Sequence, residues 1–218
     1  MMMSLNMPFI ITISRQLGCG GAFIGEALAK HFGISYADRE IISATAQKFS
    51  MHERDLYQRD EKIITAWQSF LQSITRGPDR VEHRPLPPTD KELFKAENEV
   101  IERLATERSA VIMGRCGSYI LRHHPLHVSL FLHAGMEFRI KRVCADCGVS
   151  ETRAQKMIEE SDKKRSGYIH QFTGKLWTDA TQYDLCIRTD ILGPGRTVER
   201  LITLAEEVLA QKEAKIIV

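Results

Sequence analysis

The chain has 218 residues, 43% of them hydrophobic and 27% charged, which excludes disorder and fibrous repeats and suits one domain with a smaller inserted unit. Thirty Lys and Arg against twenty-eight Asp and Glu leave a net charge of +2, too balanced for a dedicated nucleic-acid binder. No run reaches the roughly 18 apolar residues of a membrane span, the start (MMMSLNMPFIITI) has neither a basic leader nor a small-residue cleavage site, and five cysteines fit reduced thiols, so a soluble cytoplasmic protein is expected.

Residues 8–14 (PFIITIS) are a short apolar, β-branched run suited to a buried strand. Gly18, Gly20 and Gly21 follow. Phe23, Ile24, Ala27, Leu28 and His31 then recur at helical spacing, and Gly33 stands where a helix-ending glycine belongs. Residues 34–38 (ISYAD) predict a second strand, which closes a right-handed βαβ unit. From 38 to about 77 the pattern is helical, with Ile63, Ile64, Trp67, Phe70, Leu71 and Ile74 as an apolar stripe. Residues 76–90 hold four of the seven prolines and read as a loop before a helix over 91–107. The α/β rhythm then resumes. Strands are predicted at 109–114 and 127–134, with a short helical segment around Tyr119, Ile120 and Leu121 between them. A glycine-ended helix spans 135–148. Residues 150–174 open with half a capping box, Ser150 followed by Arg153 where Glu would complete it. A last strand covers 183–189 and an amphipathic helix 197–211. Strands alternating with helices predict an α/β fold with a parallel sheet covered on both faces, interrupted after its second strand by a helical block over 38–107.

In open α/β sheets ligands bind where loops leave the carboxyl ends of strands. The segment Ser14-Arg15-Gln16-Leu17-Gly18-Cys19-Gly20-Gly21 leaves the first strand and opens the first helix, and its glycines let backbone N–H groups approach an anion. The stretch ITISRQLGCGGAFIGEALAKHFG resembles the P-loop of nucleoside monophosphate kinases, cytidylate kinases in particular. It is most similar to the divergent cytidylate kinase-like family that carries SRQ-x-G-x-G-G. The likeness continues through YADREII (36–42), VIMGRCGSYIL (111–121), HVSLFLHAGMEFRIKRV (127–143), SDKKRSGYIHQFTGKLW (161–177) and YDLCIRTD (183–190). The resemblance implies a P-loop NTPase/nucleotide-kinase fold: a single domain over 1–218 with a five-stranded parallel sheet, an NMP-binding-type helical insertion at 38–107 and a lid-type segment at 150–177. It further implies ATP, with Mg²⁺ supplied with the nucleotide, and transfer of a phosphoryl group to a nucleoside monophosphate or similar small acceptor. No nucleic-acid or membrane partner is implied.

The chain departs from the P-loop pattern where the chemistry is densest. In G-x-x-x-x-G-K-[ST], Gly20 fills the second glycine, but Arg15 stands at the first, Gly21 at the lysine and Ala22 at the hydroxyl. The lysine normally reaches the terminal phosphates and the hydroxyl holds Mg²⁺. Cytidylate kinases follow the Gly-Arg of Gly114-Arg115 with Asp; here Cys116 stands there, which puts cytosine preference in doubt.

Phosphoryl transfer asks mainly for in-line positioning and charge neutralisation, for which arginine's planar, always-charged fork is suited. The nucleotide-binding candidates are Ser14, Arg15, Gln16, Gly18, Cys19, Gly20, Gly21 and Ala22. The catalytic candidates are Arg15, Arg115 and, in the lid-type segment beside Lys163, Lys164 and Arg165. Acceptor-side candidates are Asp38, Arg39, Glu40, Gly114, Arg115, Cys116 and Asp184. No clear metal-ligand set is present. Cys144 and Cys147 form one C-x-x-C at a predicted helix C-terminus, where the dipole opposes a thiolate, so they read as packing cysteines. Trp177 and Tyr183 read as core or lid anchors. Two other readings stand beside the kinase. One is a catalytically weak nucleotide sensor of the same fold. The other is a Rossmann-type protein, since Gly18-x-Gly20 is followed about 20 residues later by Asp38, although Phe23 occupies the third glycine position.

Overall fold

A computed structural model describes residues 7–38, 41, 43–45 and 89–216. Most of the 38–107 block, including its apolar stripe, the proline-rich loop, Arg39 and Glu40, lies outside the described residues.

Five strands build one parallel sheet: β1 (Ile10–Arg15), β2 (Ser35–Ala37), β3 (Ala110–Met113), β4 (His127–His133) and β5 (Leu185–Arg188), in the order β2-β3-β1-β4-β5. That order overturns the dinucleotide-binding alternative, whose sheet would run 3-2-1-4. Helix α1 (Gly21–Phe32) follows β1, and α2 (Asp90–Glu107) precedes β3. The short α3 (Gly117–Ile120) links β3 to β4, and α4 (Met136–Cys147) and α5 (Glu151–Thr173) form a hairpin after β4. The chain closes with α6 (Thr189–Ile216), broken at Gly193 by φ 76° and ψ 155° just before Pro194. The predicted 197–211 helix is the longer part of α6.

Alternation along β1 sorts the core into two layers. Ile11 and Ile13 face α1 and α6, where Ile24, Leu28, Leu201, Ala205 and Leu209 are buried with them. Ile10 faces the other way, onto Ile101, Leu104, Ile112 and Leu121 of the α2 side. Beyond the sheet, α4 packs on α5 through Val143, Ala154, Met157 and Ile158. Cys144 and Cys147 join this cluster, as the packing reading has it.

Local signals fix the helix ends. Thr89 caps α2 with a full capping box to Glu92, and Ser150 caps α5 through the N–H of Arg153. Gly33, Gly148 and Gly174 close α1, α4 and α5 in left-handed conformations.

The amino-terminal side of the sheet carries a buried polar set. His127 Nε2 and Thr12 Oγ1 share a 2.8 Å hydrogen bond. Asp184 accepts from the Ser129 N–H at 2.8 Å and from its hydroxyl at 2.9 Å, and its carboxylate pairs with Lys212, which also donates to the His127 carbonyl. Burial, then the Lys212 charge, pull the His127 pKa down to about 4. Folded His127 is therefore neutral where the unfolded imidazole, near 6.5, begins to take a proton. Its contribution is complete above pH 6.5 and is lost as pH falls toward 4. Urea unfolding should show about 3 kcal/mol less of this acid sensitivity in His127→Gln than in wild type over that window. Equal acid sensitivity in the two proteins would show that the buried histidine is not its source.

Candidate active site

β1 delivers its last residues to the carboxyl edge of the sheet, where a tight loop turns the chain into α1. Gln16 prolongs the pairing with β4: its N–H donates to the Leu132 carbonyl at 3.0 Å, and its side-chain oxygen accepts from the Ala134 N–H at 3.3 Å. Gly20 precedes α1 and has no side chain to cap it, while the Gly21 N–H is bonded to the buried Cys19 thiol. Three elements hold the loop. Arg139 of α4 donates from Nε to the Leu17 carbonyl at 2.7 Å and pairs with Asp162 of α5 at 2.5 Å. Asp162 accepts from the Leu17 N–H at 3.3 Å, and the Thr189 hydroxyl donates to the Cys19 carbonyl at 2.7 Å. Cys19 is fully buried, and its thiol pKa is raised by that burial. Ala22 sits exposed on the first turn of α1.

The course of Arg15 explains the altered motif. A Cβ built on Gly21 would lie 2.8 Å from Arg15 Cγ, and one built on Gly114 would collide with Arg15 Nη1. The stem of Arg15 thus crosses the position where the P-loop lysine would start, and its guanidinium reaches the end of β3. Any side chain at 21 would have to displace that stem. A Cβ at 114 would meet the charged head itself.

Arg15 opens into a cleft of about 500 Å³, mouth included, also lined by Ser14, Gly114, Arg115, Cys116 and Arg165. Tyr168, Ile169, Trp177 and Met113 complete its wall. Arg165 is nine-tenths buried and donates from Nη1 to the Arg15 carbonyl at 2.9 Å, while its Nε is buried with no hydrogen-bond partner. Burial first, then the neighbouring Arg15 charge, lower its pKa to about 9, so it remains a cation at neutral pH. Of the predicted lid cations only Arg165 reaches this cleft; Lys163 is exposed and Lys164 half-buried on the same helix. Trp177 is almost completely buried edge-on against Phe131, an anchor rather than an open stacking surface.

Arg115 is committed elsewhere than expected. Gly114, Arg115 and Cys116 all have left-handed φ (71°, 54° and 53°), a strained run for two non-glycine residues. That turn aims Arg115 at Glu97 of α2, forming a buried ion pair, and the Tyr168 hydroxyl donates to the same carboxylate at 2.9 Å. Burial, then the Glu97 charge, push the Cys116 thiol up to about 12, so it is neither a nucleophile nor an anion. Asp38 lies half-buried at the end of β2 on the same carboxyl edge, where its charge, after burial, helps raise the Tyr36 phenol to about 12. Asp184 is a correction. The structure places it beside Ser129 and Lys212, away from the cleft, as a tie between β4, β5 and α6.

Strand order, loop and cleft together define a P-loop kinase fold. A family model described as the cytidylate kinase-like family matches residues 10–191, and the chain belongs to that family. A cytidylate kinase of Sulfurisphaera tokodaii is 23% identical over 186 residues, spanning 85% of this chain and 88% of its own length. An uncharacterized protein from Eubacterium ventriosum of known crystal structure aligns with a TM-score of 0.69 at 25% identity, over 92% of this chain and 99% of that one. A shikimate kinase from Bacteroides thetaiotaomicron aligns with a TM-score of 0.53 at 13% identity, over 91% of this chain and 98% of its own, and speaks to the fold alone.

Sequence reasoning missed Glu97, Arg139, Asp162, Arg142 and Tyr168. Glu97 had a signal: it stands within the apolar stripe Leu93, Ala96, Val100, Ile101 and Leu104, where a lone carboxylate needs a buried partner. Arg139 and Asp162 had none, since each reads as an ordinary charge on a helix. Arg142 lies over the loop, its guanidinium carbon 3.7 Å from a Cβ built on Gly20.

Removing one partner of a buried ion pair leaves the other charge uncompensated. Glu97→Ala should therefore lower unfolding free energy by about 3–5 kcal/mol, and Glu97→Leu combined with Arg115→Met by much less. Urea denaturation of the three proteins checks this; a double variant as unstable as Glu97→Ala would show that the carboxylate's value does not lie in its pairing with Arg115.

Proposed function

We propose that this protein is an ATP-dependent phosphotransferase that moves the γ-phosphoryl group to a nucleoside monophosphate or a similar small acceptor. The observation that carries the reading is the route of Arg15, which links the glycine loop to the cleft at the end of β3. The loop amides and Arg142 suit the donor phosphates, and the cleft suits the acceptor. Arg15 stands between them, where charge must be neutralised in transfer. Within this reading Ser14, Gln16, Gly18, Cys19, Gly20, Gly21 and Ala22 form the nucleotide-binding loop. Arg15 and Arg165 are the catalytic cations, and Arg115 shapes the acceptor wall through Glu97. Gly114, Cys116 and Asp38 border the acceptor, with Arg39 and Glu40 beside Asp38 in sequence. Lys164 is the residue that could join on closure of α5.

Cytidylate kinase activity belongs to the relative from Sulfurisphaera tokodaii. For this chain, buried and protonated Cys116 supports weaker discrimination for cytosine than an aspartate would give, because one designed polar contact is missing.

ATP incubated with a panel of nucleoside monophosphates and small hydroxylated acids, scored for ADP release, tests the reaction. Turnover with at least one acceptor is expected. ATP binding without turnover on any of them would favour a nucleotide sensor of the same fold. Titration calorimetry tests the role of Arg15: Arg15→Ala should weaken ATP by about 1.5–3 kcal/mol and leave adenosine, which has no phosphate, nearly unchanged. Equal losses for both ligands would make Arg15 structural.

A further inference from the structure

P-loop kinases place a hydroxyl directly after the loop lysine to hold Mg²⁺. Here that position is Ala22, and among the described residues no three His, Cys, Asp or Glu side chains come together as a metal site. The loop position that would offer Mg²⁺ a hydroxyl therefore offers none. What the cleft holds instead is concentrated positive charge. Arg165 is nine-tenths buried, bonded to the Arg15 backbone, and keeps its Nε–H buried without a partner. The Arg15 guanidinium lies against Gly114 in the same cleft. Of the neighbouring acids, Asp162 is bonded to Arg139 and the Leu17 N–H and offsets only part of the Arg165 charge without bonding to it, and Glu97 is bonded to Arg115 and Tyr168. Two like charges, one of them buried, repel each other across this cleft, and a bound anion is the ligand that relieves both. Each guanidinium can meet phosphate oxygens through two N–H groups, which suits a phosphate chain better than a single-point anion.

We propose that Arg15 and Arg165 form a two-guanidinium clamp that binds the terminal phosphates of a nucleotide or of pyrophosphate without needing a metal ion. The clamp rests on the phosphotransferase reading, which supplies the phosphate chain, and assigns to two side chains the charge usually divided between a lysine and Mg²⁺.

Inorganic pyrophosphate and ATP are titrated into the full chain by calorimetry, in EDTA and in excess Mg²⁺. Metal-free pyrophosphate should bind within about threefold of its affinity in Mg²⁺, and Arg15→Met and Arg165→Met should each weaken the metal-free affinity at least about tenfold, the loss of one charge-assisted bond. Because Arg165 is buried and its variant could unfold, the wild-type protein provides a second readout. The guanidinium Nε–H resonances of Arg15 and Arg165 should shift on adding pyrophosphate in EDTA. Binding of both ligands only in Mg²⁺ overturns the clamp and leaves the kinase reading intact. Metal-free binding that moves neither resonance overturns it as well. Absence of binding by ATP and pyrophosphate in both buffers overturns the phosphotransferase reading and the clamp together.

Discussion

One side chain sets the terms for the site. Arg15 leaves β1 where a phosphate loop would begin with glycine, lays its stem across Gly21 and sets its guanidinium against Gly114. Position 21 cannot then hold the usual lysine without pushing Arg15 aside, and position 114 has room only for hydrogen. The arginine at 15, the glycine at 21 and the glycine at 114 are one solution to a packing problem. The apparent loss of the loop's cation is its relocation by six residues along the chain, with its head carried across to the end of β3.

The charges around this arginine fall into two kinds. Arg115 is cancelled by the buried Glu97 and Arg139 by the half-buried Asp162, and both do mechanical work: one ties α2 and α5 to the end of β3, the other ties α4 and α5 to the glycine loop. Buried pairs of this sort contribute little net stability, yet breaking one is expensive, so they specify geometry more than they strengthen the fold. Arg15 and Arg165 stand close, and Arg165 has no carboxylate bonded to it, Asp162 offsetting its charge only from a distance. The same contacts give α5 a definite place: Asp162 and Arg165, one turn apart, both hold the loop, so α5 rests on it.

The fold was legible in the sequence because its signals are local. Apolar runs of strand length, the helix-ending glycines at 33 and 148, and the cap at Ser150 each act within a few residues. The P-loop likeness then supplied the strand arrangement that periodicity alone cannot. The site was only partly legible. Ser14, Arg15, Gly114, Cys116 and Arg165 converge on one cleft, as their positions after strands and in the lid suggested. Pairing could not be read in this way, because Glu97 and Arg115 are 18 residues apart in sequence and Asp162 lies 145 residues from Leu17. Asp184 misled for the same reason: a carboxylate at a strand's start shows which family position it fills, but not that Ser129 and Lys212 already occupy it.

The central claim, that Arg15 and Gly21 are two halves of one exchange, is tested most directly by a double-mutant cycle on ATP affinity with Arg15→Gly, Gly21→Lys and the combined variant. Gly21→Lys alone should weaken ATP, because the new side chain and the Arg15 stem compete for one space. Arg15→Gly alone should weaken it about tenfold or more, and the combination, which restores the ordinary loop, should return to within about threefold of wild type. Tighter ATP binding by Gly21→Lys with Arg15 still in place, or no recovery in the double variant, would contradict the account.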